Sequence, residues 1–326
     1  MTPPLPTPED VADTRTLLRE HVLHTPLLSN PALDERVGGR VFLKAENLQH
    51  TGSFKFRGAM NRLLRLDAAQ RAAGVVAFSS GNHAQGVAAA GARLGIDVMI
   101  VMPETAPVVK LERTRGFGAQ VVTYDPETGS REAIAAGIAE REGRVLVPSF
   151  DDPHIVMGQG TAGLEAFEDL AAAGVSADQF LICCGGGGLT AGCALARDAA
   201  GADASIYTVE PEAFDDTARS FAAGERLPIE PGGRSICDAL LSPAPGEITF
   251  AINAPRVQRG LVVSDDEVRS AMRFAFERLR LVLEPGGAVA LAALLAGRID
   301  GRDRCSLVML SGGNVDATLF TEAIGR

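Results

Sequence analysis

Short β-rich runs alternate with helical stretches along almost the whole chain, and three of those runs are followed by glycine-rich or small polar loops. That alternation predicts βαβ units and therefore an α/β fold with mostly parallel sheets, covered on both faces. The strands are expected at Val41–Lys44, Val75–Phe78, Asp97–Val101, Gln120–Tyr124, Val145–Val147, Phe180–Cys184, Ile206–Val209 and Cys305–Leu310. Helical patterns lie between them, among them His83–Leu94, Lys110–Gly116, Arg131–Arg141, Ile155–Ala173 and Leu189–Ala199. Ser264-Asp-Asp-Glu267 reads as a capping box that opens a helix running to about Arg280. The Pro- and Gly-rich stretch from Leu227 to Pro245 reads as a lid or a connection.

Composition narrows the function. The 326 residues suffice for two domains, and 46% hydrophobic with 22% charged residues is ordinary for a globular protein. A net charge of −10 argues against nucleic acid as a partner, because phosphate backbones call for a basic face. No run of eighteen apolar residues spans a membrane, and the first ten residues lack the pattern of a signal peptide, so the chain is read as cytoplasmic. Cys183, Cys184, Cys193, Cys237 and Cys305 form no C-x-x-C pair and read as buried free thiols. Of 31 basic residues only Lys44, Lys55 and Lys110 are lysines, so only three side chains could form an imine with an aldehyde.

In parallel α/β sheets ligands gather beyond the carboxyl ends of strands. After Val75–Phe78 comes Ser79-Ser80-Gly81-Asn82-His83, whose backbone N–H groups at a helix start suit a carboxylate. After Phe180–Cys184 come Gly185, Gly186, Gly187 and Gly188, again opening a helix and suited to a phosphate. After Cys305–Leu310 comes Ser311-Gly312-Gly313-Asn314. Each loop alone could be a tight turn; three in one fold suggest a shared site. Gly186-x-Gly188-x-x-Ala191, with Glu210 some twenty residues on, also approximates a dinucleotide fingerprint, which keeps an NAD(P)-dependent oxidoreductase open.

Lys55 lies between Phe54 and Phe56, just after the small turn Thr51-Gly52-Ser53. It could be a surface lysine on a short helix. An amine among aromatics is instead partly desolvated, which lowers its pKa and improves it as a nucleophile toward an aldehyde. Such a lysine together with a phosphate cup is what pyridoxal phosphate requires.

These segments carry a resemblance. Ser53-Phe54-Lys55-Phe56-Arg57-Gly58-Ala59 resembles the cofactor-lysine motif of fold-type II pyridoxal-phosphate enzymes, the tryptophan synthase β-like group. Ser79–His83, Gly185–Leu189 and Ser311–Asn314 are similar to three further motifs of that family, in the same order. The likeness runs from His24-Thr-Pro-Leu27 to the end and is nearest to the threonine/serine dehydratase and serine racemase branch. It implies two parallel-sheet α/β domains with the site between them: a large one from residues 1–70 and 150–326, and a small one from 71–149 that closes over substrate. It implies a homodimer, and no separate C-terminal regulatory module.

The resemblance also implies roles. Lys55 holds the cofactor and moves the α-proton. Gly185, Gly186, Gly187, Gly188 and Leu189 cradle the phosphate, Phe54 packs on the pyridine ring, and Asn82 bonds its phenolic oxygen. Glu284 lies near the ring, and Ser311 partners the ring nitrogen. Ser79, Asn82 and His83 hold the carboxylate of a small amino-acid substrate. Ser80 matches the second acid/base of racemases, or is one more hydroxyl in the cradle. Arg131 and Ser242 match substrate-side positions, and Arg131 pointing inward favours acidic substrates such as 3-hydroxyaspartate. Glu210, Phe214 and Asp216 match a loop for Mg²⁺ or Ca²⁺, through two carboxylates and a carbonyl. The implied activity is dehydration of L-threonine or L-serine to a 2-oxo acid and ammonia, with serine racemase or 3-hydroxyaspartate dehydratase as alternatives. The chain departs from the family pattern at Phe150, at Ala239 after Asp238, and in Glu284-Pro-Gly-Gly287.

Overall fold

The computed structural model describes residues 4–106 and 108–325, within which ten strands form two sheets. In chain order these are β1 (Leu27–Ser29), β2 (Arg40–Ala45), β3 (Val75–Phe78), β4 (Val98–Pro103), β5 (Gln120–Tyr124), β6 (Val145–Leu146), β7 (Gln179–Cys183), β8 (Ser205–Pro211), β9 (Val257–Val263) and β10 (Cys305–Leu310). The larger sheet has the order β1-β2-β10-β7-β8-β9, parallel except for β1 against β2. The smaller has the order β5-β4-β3-β6 and is parallel throughout. Every strand expected from the sequence forms, within two residues at its ends.

β1 and β9 were not legible, for physical reasons. β1 is a three-residue antiparallel edge, too short for a periodicity. β9 is the opposite edge and opens on exposed Gln258 and Arg259 followed by Gly260, which interrupts any apolar run. The predicted capping box is present: Ser264 Oγ accepts from Glu267 N–H, and Glu267 accepts from Ser264 N–H at 2.8 Å. The helix it opens, Asp265–Phe274, continues as a π-helical turn, Ala275–Leu279, and ends on Arg280 at φ +62°.

One core cluster packs the larger sheet against the helices Gly188–Ala199, Asp265–Phe274 and Pro285–Leu295. A second surrounds the smaller sheet. Phe56, Ala59, Met60 and Leu63 of the helix Lys55–Leu64 belong to this second cluster, as do Leu18 and Val22. Packing around the small sheet thus recruits residues from before position 71. All five cysteines are buried and unpaired. Among the described residues no helix is long and apolar enough to cross a membrane.

Candidate active site

The loops that follow β3, β7 and β10 meet in one cleft of about 680 Å³. The turn before Lys55 is zippered to the loop after β10. Ser53 bridges Gly312, Phe54 N–H donates to Ser311 O at 3.1 Å, and Gly313 N–H donates to Gly52 O at 2.9 Å. Thr51 is held in the left-handed region at φ 61°, a strained backbone of the kind that persists where surrounding bonds fix it. Asn314 supplies such a bond, donating to Thr51 O at 2.7 Å and to Asn82 Oδ1 at 2.8 Å.

This frame aims the Lys55 side chain into the cleft, where Nζ donates to Ser149 O at 2.8 Å and lies 5.1 Å from the centre of the Phe54 ring. The side chain opens on the cleft, yet protein atoms crowd it enough that burial pushes its pKa down to about 8, against the opposing pull of Cys183 and Glu284. Glu284 is pushed up to about 7 by burial and by the charge of Asp238, while the Asn82 amide, donating to Oε1 at 2.6 Å, opposes this. His83 is buried and held neutral, down to about 3, by burial and by the Lys55 charge. Its Nε2–H donates to Val147 O at 3.0 Å, so its side chain has no proton left for a carboxylate, and only its backbone N–H is free for that duty.

The helix Asn82–Leu94 starts from Gly81 without a side-chain cap, leaving its first N–H groups open beside Ser79 and Ser80. The helix Gly188–Ala199 likewise starts uncapped from Gly187, at φ +89°. A Cβ on Gly186 would lie 2.4 Å from the Phe150 ring, so the loop is built for close approach of backbone. Leu189 and Ser311 are buried at the cleft wall, and Ser242 lines it beside Gly185. Arg131 lines the cleft as well, paired with Glu132 at 2.8 Å and 5.7 Å from the centre of the Phe78 ring. The Leu227–Pro245 stretch supplies a wall, residues 238–245. Lys110 on the helix Val108–Gly116 reaches Asp238 across the mouth at 2.5 Å.

A lysine amine with a depressed pKa, an uncapped glycine loop able to receive a phosphate, and a second uncapped helix for a carboxylate fit pyridoxal phosphate and an amino acid together. Sequence reasoning missed several supports: Ser149, which positions the amine, Lys110 and Arg113 at the mouth, and Thr249 and Asn253 behind the glycine loop. Of these only the scarcity of lysine offered a signal, at Lys110.

Glu210, Phe214 and Asp216 do not line this cleft. The Glu210 carboxyl accepts the N–H groups of Thr217 (3.0 Å) and Ala218 (2.8 Å), so both its oxygens are already taken by backbone. Glu210 is pushed up to about 8 by burial and by Asp216, and Asp216 to about 7 chiefly by burial, with its Oδ2 lacking a hydrogen-bond partner. Among the described residues no cluster of three or more His, Cys, Asp or Glu is arranged around a metal position.

Comparison with known proteins fits this geometry. Residues 18–312 match the family model described as pyridoxal-phosphate dependent enzyme. A serine racemase of Schizosaccharomyces pombe is 40% identical over 99% of this chain and 98% of its own. An L-threo-3-hydroxyaspartate ammonia-lyase of a Pseudomonas species is 44% identical over 97% of each. Among solved structures, the threonine deaminase of T.th. superposes with a TM-score of 0.89 at 41% identity, covering 95% of this chain and 99% of that one. Maize serine racemase superposes with a TM-score of 0.92 at 32% identity, over 99% and 98%. Family, fold and lysine-bearing cleft agree, the oxidoreductase reading falls away, and the chain belongs to the pyridoxal-phosphate-dependent enzymes of fold type II.

Proposed function

We propose that the protein dehydrates a small β-hydroxy amino acid, L-threonine or L-serine, to a 2-oxo acid and ammonia, the water lost on elimination being returned when the released enamine hydrolyses. The observation that carries this is the Lys55 amine, pushed down to about 8 and lodged in the cleft between the glycine loop and the uncapped helix at Asn82. The bound cofactor supplies an aldehyde for amines and an electron-withdrawing ring that acidifies the substrate Cα–H bond.

This chain's residues do the rest. The backbone N–H groups of Asn82 and His83, with the Ser79 hydroxyl that itself accepts from Gly81 N–H at 3.2 Å, hold the substrate carboxylate. Lys55, whose lowered pKa of about 8 leaves a fraction of the amine uncharged near neutrality, takes the α-proton. Ser311 offers the ring nitrogen a hydroxyl rather than a carboxylate, which does not hold that nitrogen protonated. With Ser311 in that place, departure of the β-hydroxyl promptly after Lys55 has taken the proton would be favoured. Phe54 and Phe150 form the apolar walls that exclude water.

Lys55→Ala tests the scheme: 2-oxo acid formation is expected to fall at least about 10²-fold, in the range a positioned general base contributes. Activity retained in that variant overturns it. A second reading, a dicarboxylic substrate such as 3-hydroxyaspartate, is supported by Arg131, Arg113 and Lys110 in the cleft lining. Racemisation is supported by Ser80 in the same lining, since inversion needs a second proton donor. Incubation with L-threonine, L-serine, D-serine and both 3-hydroxyaspartate diastereomers, with keto acid and chirality measured, separates the three.

We further propose that the small sheet and its helices, residues 71–149, close over substrate, a reading supported by the Lys110–Asp238 pair across the mouth. Glu210, Asp216 and the Phe214 carbonyl are proposed to take Mg²⁺ or Ca²⁺; the raised carboxyl pKa values and the unpartnered Asp216 oxygen support it. A cytoplasmic homodimer completes the reading, with exposed Leu48, Phe276 and Val282 as apolar surface for association, tested by sedimentation.

A further inference from the structure

The glycine loop after β7 has a backing that faces away from the cleft. Thr249 Oγ1–H donates to Gly186 O at 2.6 Å, and Asn253 Nδ2–H donates to Gly187 O at 3.2 Å. Gly246 N–H adds a longer bond, 3.3 Å, to Gly186 O. Thr249 and Asn253 are both buried and lie on the short helix Glu247–Asn253. That helix is anchored in turn by Asp151, whose carboxylate accepts the N–H groups of Glu247 (2.9 Å), Ile248 (2.9 Å) and Thr249 (3.3 Å).

A trans peptide unit points its C=O and the following N–H in opposite directions. Pinning the carbonyls of Gly186 and Gly187 to the helix therefore turns the N–H groups of Gly187 and Gly188 away from it. These are donors that no side-chain cap consumes. Asp151 is two residues from Ser149, whose carbonyl holds the Lys55 amine. One short segment thus registers the amine and the loop against each other.

We propose that Thr249 and Asn253 are positioning residues for the cofactor phosphate: they fix the glycine-loop peptides so that their N–H groups converge on it. This rests on the reading that Gly185–Gly188 receive the phosphate. Neither residue lines the cleft. They act through the two carbonyls and remove from cofactor binding the cost of ordering a flexible four-glycine turn.

The test compares pyridoxal phosphate with pyridoxal, which lacks the phosphate, by equilibrium titration of resolved enzyme followed by absorbance. Thr249→Val keeps the shape and removes the donor, and it is expected to weaken pyridoxal phosphate about tenfold, as one lost hydrogen bond would. Pyridoxal affinity is expected to stay within about twofold, since Lys55 and the ring pocket are untouched. Asn253→Ala is expected to act in the same direction, and Thr249→Ser, which retains the hydroxyl, to restore affinity. The ³¹P resonance of the holoenzyme is expected to move in Thr249→Val and return in Thr249→Ser. Unchanged pyridoxal phosphate affinity in both Thr249→Val and Asn253→Ala overturns the inference alone. An equal fall for both ligands does so too, because it reports general damage. Parent enzyme that binds both ligands alike overturns the reading of the loop, and the inference with it.

Discussion

Lys55 and Arg57 stand two residues apart at the start of one helix and live under opposite electrostatic conditions. Arg57 is fully buried, and the five N–H groups of its guanidinium reach six acceptor atoms, on Glu46, Glu165, Thr161 and the carbonyl of Leu23, with one N–H of Nη2 shared. Lys44, also buried, donates to Glu165 at 2.9 Å and to Thr25 O at 2.7 Å. Burial works against these charges, but Glu46 and Glu165 outweigh it and hold Arg57 more firmly ionised, while Arg57 and Lys44 bring Glu165 down to about 2. Lys55 has a single carbonyl partner, and burial wins. Complete pairing makes a charge permanent and structural; incomplete pairing leaves a group that can gain or lose a proton near neutrality, as chemistry requires.

The sharpest way to break this contrast is Arg57→Met. It strands the buried Glu46 carboxylate and leaves Glu165 to Lys44 and Arg15, so a loss of about 3–5 kcal/mol is expected, read as a lower urea midpoint or as failure to accumulate folded protein. A variant within about 1 kcal/mol of the parent would mean that the network is not what holds the lysine helix. Glu165 adds a signed pH effect. Its folded pKa lies below the usual carboxylate value, so its stabilisation is complete above about 4.5 and is lost as pH falls toward 2.

Glu284→Gln probes the cleft side. The folded-state pKa is raised from the usual 4.5 to about 7, so the folded state keeps a proton the unfolded state has lost. Stability therefore falls as pH rises through that window, and the penalty is complete above about 7. The variant is expected to melt higher than the parent at pH 8, by something on the order of 1–3 kcal/mol, with the difference vanishing near pH 4.5. Glu210 and Asp216 make a parallel case. Added Mg²⁺ or Ca²⁺ is expected to raise the melting temperature at pH 9, above both raised pKa values, and to do little at pH 5, where both carboxyls keep their protons. Equal effects at the two pH values would count against the cation.

Much of the cleft was legible because its chemistry is carried by loops directly after strands: Ser79–His83, Gly185–Leu189 and Ser311–Asn314 all contribute to its lining. What could not be read lies in contacts between segments distant in the chain. Nothing local in Thr249, Asn253 or Asp151 announces that one short helix will be clamped behind four glycines. The direction of His83 is of the same kind, since Val147 claims its proton from another strand's end. The Arg57 network was hidden likewise: Glu46 and Glu165 are 11 and 108 residues away, and charged residues read as solvent-facing until a partner is known.

The smallest expected effect lies at the cleft mouth. Lys110 and Asp238 form the same kind of ion pair as Lys44 and Glu165, but the Asp238 side chain is 55% exposed and the Lys110 side chain 25%. Exposed pairs contribute up to about 1 kcal/mol, so Lys110→Met is expected to leave the melting temperature nearly unchanged. Under the proposed closure its effect belongs there instead, because the pair bridges the helix Val108–Gly116 and the wall at Asp238. Losing up to about 1 kcal/mol of closed-state preference lowers kcat/KM by at most about fivefold. The parent's kcat/KM should fall with added salt toward that of the variant, whose own value should be flatter, since screening weakens only a pair that is present. A variant as salt-sensitive as its parent would place the closing force elsewhere, and would leave the Arg57 network as the only one of these two charge clusters with a measurable energetic role.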